Sequence, residues 1–382
     1  MPHALLTALP EYFRELRDPR INRGKDHDLN TILTISICAV VCGADSYSDM
    51  EHFGKSKQAW FETFLTIPNG IPSHDTFSRV FALLDPDALS KCFASWTMAL
   101  AQASKGEVIA IDGKTLRRSF DTASQKSAIH MVSAWASANG ISLGQIKTEE
   151  KSNEITAIPK LLELLSLEGA IVTIDAMGCQ KTIARRIIEK KADYVLALKG
   201  NQETLHADVK LFLDDAIEHD FGHHGSTHDC ATTVNGGHGR IEQRRIWCCG
   251  DVAWLSAHHA WPGLKSIGVV ESSVTDKRSK ETRSERRYFI SSLDGRDAKL
   301  FGSVVRSHWA IENGLHWILD VAFREDESRV RIGHGAANLS LLRRMALNVL
   351  KQEKTLKRGI KGKRLRAGWD NDYLLKALKI SG

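Results

Sequence analysis

Three kinds of hydrophobic patterning follow one another along the chain. Over residues 5 to about 95, apolar positions recur at helical spacing in "LNTILTISICAVV" and "QAWFETFL", and Ser73 stands where it would cap a further helix, "SHDTFSRVFALL". A small all-α domain is predicted over 1–100. From residue 107 the period shortens: "EVIAID", "AIHMVSAWAS" and "GISLGQIKTE" read as strands, the last two joined at the turn signal Asn139-Gly140. A helix with apolar Ile155, Ile158, Leu162 and Leu165 follows, then the strand "AIVTID". A basic amphipathic helix (Lys181, Arg185, Arg186, Lys190, Lys191) and the strand "DYVLAL" complete the run. Three antiparallel strands followed by alternating helix and strand predict an α/β mixed sheet with helices on its faces over 105–200.

Between 201 and 298 this rhythm breaks. Gly-rich and His-rich loops separate "GRIEQRRIWCC", "LKSIGVVESSV" and "RRYFISSL", which read as short strands of a β-rich insertion. Within the next segment, 299–350, helical period returns at 302–319, where Val304, His308, Ile311, Leu315 and Ile318 form one stripe, and again in "LSLLRRMALNVLK". The last stretch, 351–382, begins as a basic tail.

Composition narrows the class. With 382 residues, 42% hydrophobic and 26% charged, the chain has the makings of a folded, soluble protein of more than one domain. The net charge of +6 is mild, but Lys351, Lys354, Lys357, Arg358, Lys361, Lys363, Arg364 and Arg366 stand against Glu353 alone, a tract suited to a phosphate backbone. The seven cysteines follow no disulfide framework, which fits a reducing cytoplasm. No signal-peptide pattern opens the chain, and "TILTISICAVVCGA" is too short to span a bilayer, so it reads as a core helix and no membrane is expected.

Two strands climb through apolar residues and end on an acid: "EVIAID" on Asp112 and "AIVTID" on Asp175. If the first and fourth strands run parallel, both acids reach the same sheet edge, where paired carboxylates repel unless a cation separates them. Mg²⁺ prefers such oxygens, and two ions can clamp the attacking and leaving oxygens of a phosphodiester. Glu312, on the amphipathic helix "RSHWAIENGLHWILD", is the candidate third ligand. A strand-terminal Asp is also a common turn former or cap, so the pattern alone leaves both readings open.

Four segments taken together, "AIDGKTLRRS", "TIDAMGCQ", "YVLALKGNQ" and "HWAIENGLHWILDVAFREDESRVR", resemble the insertion-sequence transposases of the DDE class, most closely the H-repeat-associated protein group. The resemblance runs from about residue 8 to the end. It implies an RNase H-like catalytic core interrupted by a β-rich insertion and preceded by a helical domain. It also implies Asp112, Asp175 and Glu312 as the three catalytic metal ligands, Mg²⁺ (or Mn²⁺), in two ions, as cofactor, and double-stranded DNA bound by a homodimer. The wider hairpin-forming branch has a Tyr, Arg, Glu, Lys signature; here the positions around Glu312 hold Val305, His308 and Leu319, so no hairpin intermediate is implied.

Around the acids stand candidate DNA contacts: Lys114, Arg117 and Arg118 after Asp112; Lys199, Asn201 and Gln202 in "LKGNQ"; His308 and His316 flanking Glu312; Arg329 and Arg331 beyond it; and Lys361, Lys363, Arg364 and Arg366 in the tail. A zinc site among His223, His224, His228, Cys230, His238, Cys248, Cys249, His258 and His259 lacks any C-x₂-C pair and is not expected. No phosphate-binding Gly-Lys-Ser loop appears, so nucleotide hydrolysis need not drive the chemistry. Three functions follow in order: a cytoplasmic, nucleoid-associated transposase, a metal-dependent DNA nuclease that has lost mobility, and a catalytically silent DNA-binding relic.

Overall fold

A computed structural model describes residues 11–21, 25–100, 106–120, 127–148, 154–222, 227–237 and 239–379. The chain folds as two compact units, each assembled from separate stretches: Met1–Ala103, Gly113–Leu165 and Glu312–Gly382 in the first, Ser104–Asp112 and Ser166–Ile311 in the second. His223, His224 and His238 lie outside the described residues.

Two helices that are buried on nearly every side organise the first unit. Helix α1 (Leu29–Val41), capped by the Asp28 carboxylate accepting from Thr31 N, buries twelve of its thirteen residues, as a core helix should. Around it lie α2 (Tyr47–Ser56), α3 (Gln58–Phe61), α4 (His74–Leu83), capped by Ser73 as its sequence predicts, and α5 (Pro86–Leu100). Strand β1 (Val108–Thr115) enters this unit at Gly113, followed by the hairpin β2 (His130–Ala136) and β3 (Ile141–Lys147), whose turn uses Gly140 at φ +64°. Helix α6 (Glu154–Leu164) follows β3.

The second unit supplies parallel strands. In it lie β4 (Ile171–Ile174), α7 (Lys181–Glu189), β5 (Asp193–Leu198) and α8 (Glu203–Glu218). Then come β6 (His228–Gly237), β7 (Arg240–Cys249), α9 (Ala253–His259), β8 (Ser266–Asp276), β9 (Thr282–Ser291) and α10 (Ala298–His308). β1 pairs parallel with β4 and β4 with β5, while β9 pairs antiparallel with β5. The strand order is β3-β2-β1-β4-β5-β9-β8-β7-β6. The fold is therefore a mixed α/β one with a large sheet and helices.

The strands β6 to β9 are ten or eleven residues long; β7, β8 and β9 are not the short strands their interrupted hydrophobic runs suggest, and β6 precedes them where no strand was expected. In β7, β8 and β9 only one end is apolar, and β6 buries none of its residues. Ile246, Cys248, Val270 and Phe289 pack with Phe301 and Val304 of α10, and backbone pairing then carries the polar ends on in register through Thr275↔Thr282 and Arg240↔Asp276. Gly268 lets Phe301 sit against the sheet, since a Cβ there would meet the ring at 2.5 Å.

In the first unit, Glu312–His316 forms a π-helical turn and opens into α11 (Trp317–Phe323). Helices α12 (Gly335–Gln352), buried from Gly335 to Leu350, α13 (Ile360–Trp369) and α14 (Asn371–Lys379) complete it. The single continuous stripe expected across 302–319 is corrected by this turn. Leu315, Leu319 and Phe323 are buried at intervals of four and Ile318 is only half-buried, because a π turn takes more residues than the 3.6 of an α-helix. Among the described residues no helix is long and apolar enough to cross a membrane.

Candidate active site

Parallel pairing between β1 and β4 runs Val108↔Ile171, Ile109↔Val172, Ala110↔Thr173 and Ile111↔Ile174. The next residue on each strand is an acid, Asp112 on one and Asp175 on the other. Neighbouring strands in a sheet lie about 4.8 Å apart, so the register brings these two acids side by side. One expectation needs correcting here: β1 does not end at Asp112 but continues to Thr115. The strand holds on through its other edge, where Leu116 N donates to Ile129 O. Only β4 stops at its acid.

Asp175 sits at a built turn. Its Oδ1 accepts from Met177 N at 3.1 Å and Gly178 N at 3.3 Å, so the carboxylate closes the loop that leaves the strand. That loop is pinned from a second side. Asn201 Nδ2 donates to Ala176 O at 2.5 Å and Gln202 Nε2 to Cys179 O at 3.0 Å, so the two amides of "LKGNQ" face the Asp175 loop, while Lys199 beside them is exposed. The sequence marked these amides as donors to DNA; their partners are the backbone of the acid's own turn.

His308 lies in the same unit, with Nδ1 at 3.1 Å from Thr173 Oγ1 on the strand that carries Asp175. Burial lowers its pKa, and the nearby Asp175 charge only partly offsets that, so the ring is neutral at ordinary pH.

Glu312 stands on the π turn, half-exposed, with His316 Nδ1 at 3.5 Å from its Oε2. His316 itself is buried; burial, and then the positive charges of Arg344 and Lys114, hold its pKa down to about 3. Each of these histidines is thus a neutral, largely buried ring.

The basic candidates separate into two groups. Lys114 is buried among Asp320, Glu325 at 3.5 Å and Asp326 at 3.7 Å. Lys363 donates to Leu350 O at 3.0 Å and to Glu353 O, and Arg364 reaches Val40 O at 3.0 Å, Ala44 O at 3.2 Å and Asp45 at 3.1 Å, stacking its guanidinium on Phe323. These three expected DNA contacts lie within internal ties, each ammonium or guanidinium surrounded by carbonyls and carboxylates of the fold. Arg117, Arg118, Lys199, Arg329, Lys361 and Arg366 are exposed. Arg331 is half-buried, its Nε donating to Arg118 O and its guanidinium over Phe120. The basic tract is consequently not one solvated face. Periodicity could have suggested this, since 363, 364 and 367 fall on the buried side of α13.

Comparison with known proteins assigns the chain. Residues 103–349 match the family model described as a transposase DDE domain, and residues 10–97 match the one described as DDE_Tnp_1-associated. The chain belongs to the DDE-domain transposases and is an enzyme of that class, one that cuts and joins DNA strands. It is 42% identical over 377 residues to the putative transposase YncI of Escherichia coli O157:H7, covering 98% of this chain and 95% of that one. It is 39% identical over 382 residues to the H repeat-associated putative transposase YhhI of Escherichia coli strain K12, covering 99% of both. A solved piggyBac transposase synaptic complex with hairpin DNA aligns at 10% identity and a TM-score of 0.40, over 96% of this chain and 77% of that one, a likeness too slight to carry an argument.

The family implies a divalent metal ion. The donors fit one: the carboxylates of Asp112 and Asp175 are adjacent hard oxygen donors whose mutual repulsion a cation would relieve, and the Cys179 thiol in the same turn is no competing thiolate, because burial and the Asp175 charge push it up to about 12.

Proposed function

We propose that the protein is the transposase of an insertion sequence of the H-repeat-associated kind, nicking double-stranded DNA at its element's ends and joining the freed 3′-hydroxyl to target DNA. In this reading Asp112, Asp175 and Glu312 hold two Mg²⁺ ions, or Mn²⁺ in their place, within an RNase H-like core, and a homodimer brings the two ends together. The single observation that carries it is the β1–β4 register, which sets Asp112 and Asp175 one residue beyond the same matched pair. The strand order β3-β2-β1-β4-β5, antiparallel in β2–β3 and parallel in β1–β4–β5, supports the core assignment.

When bound, the metal would polarise the scissile phosphate and make the attacking water or hydroxyl more acidic. The protein's own groups do the rest. Asp112 and Asp175 bind and orient. The turn closed by Asp175 on Met177 and Gly178, and held by Asn201 and Gln202, fixes one carboxylate before DNA arrives, so little reorganisation remains during reaction. His308, neutral and tied to Thr173, offers a polar ring beside Asp175 without adding a competing charge. The exposed cations Arg117, Arg118, Lys199, Arg329, Lys361 and Arg366, with the half-buried Arg331, take the phosphate backbone.

The test is cleavage of duplex DNA carrying the gene's own flanking sequences, with Mg²⁺ or Mn²⁺, by the wild type and Asp112→Ala. Metal-dependent cuts at fixed positions, absent from the variant, are expected. Cleavage without strand joining would assign a nuclease, and bound but uncut DNA in both samples would sink the catalytic reading.

A further inference from the structure

Lys114 belongs to a ladder of charge inside the first unit. Its side chain is 9% exposed, and the ammonium contacts Asp320 on α11 and both Glu325 and Asp326 in the short 3₁₀ turn that follows. Arg324, in the left-handed conformation at φ +50°, ends α11 and turns the chain so that Glu325 points inward. Glu325 is fully buried. Its Oε1 accepts from Ser340 Oγ at 2.8 Å and from Arg344 Nη1 at 3.1 Å, and Arg344 in turn donates from Nε and Nη2 to Ser133 Oγ on β2, at 3.3 and 3.2 Å. Arg117 closes the outer end on Asp326 at 3.1 Å. Three cations, Lys114, Arg117 and Arg344, thus stand against three carboxylates, Asp320, Glu325 and Asp326.

The ladder joins four elements: β1, α11, α12 and β2. α11 grows directly out of the π turn that carries Glu312, and Asp320 is eight residues beyond that acid. Lys114 is two residues beyond Asp112 along β1, on the same side of the strand by the period of two. A π turn on its own is a soft element, since its wider loop gives up the tight helical hydrogen-bond geometry. What fixes its direction is the helix beyond it.

We propose that Lys114 is a positioning residue of the transposase. It does not touch DNA; it ties α11 to β1 and so sets where Glu312 presents its carboxylate to the metal. The proposal rests on the reading of Glu312 as a metal ligand and adds to it a group on which that ligand depends. Without the ammonium, Asp320 loses the only cation the ladder gives it while Glu325 and Asp326 keep Arg344 and Arg117, so the direct tie between α11 and β1 is gone and α11 is free to shift. Displacement of a reacting group by about 1 Å costs on the order of 100-fold in rate.

Lys114→Met keeps the stem and removes the charge, and Lys114→Arg keeps the charge. Three quantities separate the roles this lysine can play: the salt dependence of DNA binding, the Mg²⁺ or Mn²⁺ concentration giving half-maximal cleavage, and the rise in melting temperature that the metal alone produces in the full chain without DNA. For Lys114→Met we expect an unchanged salt slope, cleavage lowered about 100-fold, and about tenfold more metal needed for both the cleavage midpoint and the thermal shift. Lys114→Arg should recover most of the cleavage. If Lys114→Met does not fold, Asp320→Asn, which removes one carboxylate from the ladder, serves instead and should raise the metal requirement in the same way.

A salt slope flatter by about one would make Lys114 a phosphate contact and overturn the proposal. So would a lower melting temperature with an unchanged metal requirement, which would leave the lysine a purely structural tie. Failure of the underlying reading looks different: Asp112→Ala would then cut DNA like the wild type and show the same metal-induced thermal shift.

Discussion

Asp175 and Glu312 are offered for the same task and are held in opposite ways. Asp175 ends a strand, and everything that fixes it is close by and neutral: two backbone amides of its own turn, and two amide side chains from "LKGNQ". Glu312 rides on a π turn, and what fixes its helix is distant and charged: Lys114 from β1 and, through Glu325, Arg344 from α12. A neutral clasp of short hydrogen bonds costs little to bury and works within one loop. A buried ion ladder carries a large desolvation penalty, yet it can span elements, and removing one member strands the others. The two anchors should therefore fail differently.

The largest expected effect is on Asp175 itself. Asp175→Asn keeps the shape and the acceptor of the turn but removes the charge; cleavage should fall by at least about 10³-fold while DNA affinity stays within about twofold. Parallel cleavage and gel-shift titrations read both. Normal cutting by this variant would remove Asp175 from the site.

Next comes the ladder's buried acid. Glu325→Gln leaves Lys114 and Arg344 without their shared carboxylate and should cost about 3–5 kcal/mol in urea unfolding. The pH dependence carries a signature. Burial alone would raise the Glu325 carboxyl, but Arg344, Lys114 and Arg343 outweigh it and hold it at about 2. A carboxyl lower in the folded than in the unfolded state stabilises fully above its ordinary range near 4.5 and loses that contribution as pH falls towards 2. The Gln variant should lack that acid limb, its stability changing less between about pH 4.5 and 2 than the wild type's. Superimposable acid limbs would mean the ladder carries no net stabilisation.

The smallest effects are expected in the C-terminal tract. Lys361→Gln with Arg366→Gln, both exposed, should weaken binding to all sequences and lower the slope of affinity against salt by about two. Arg364→Gln should leave that slope unchanged and lower stability by about 1–3 kcal/mol, since Val40, Ala44 and Asp45 lose their donor. If all three residues moved the salt slope alike, the buried and exposed halves of the tract would be one surface after all.

Much of this was legible in the residues because it is local. Alternation and helical spacing mark β2, β3, α1 and α4, Ser73 is read as a cap from its position, and Asn139-Gly140 turns the hairpin as its types require. The two strand-borne acids stand out because a charged residue directly after a buried apolar run needs a reason. Four motifs in one order also point to the transposase family, which the family models and relatives bear out.

What the residues could not say is where a long side chain finds its partner. Lys114, Lys363 and Arg364 carry the same charge as Lys361 and Arg366, and a row of basic residues reads as a DNA contact whether its members face water or carbonyls. The lengths of β6 to β9 were hidden because pairing, not apolar period, carries a polar strand, and the π turn at Glu312 because its extra residue shows only as a shift of burial from Ile318 to Leu319. Sequence by itself determined the local periods, the cap at Ser73 and which acids follow directly on apolar runs, since these depend on neighbours within a few residues. Tertiary structure alone decided which cations are spent inside and which acid is held by a clasp and which by a ladder, because partners such as Lys114 and Asp320, or Arg364 and Asp45, lie hundreds of residues apart and meet only when the chain has folded.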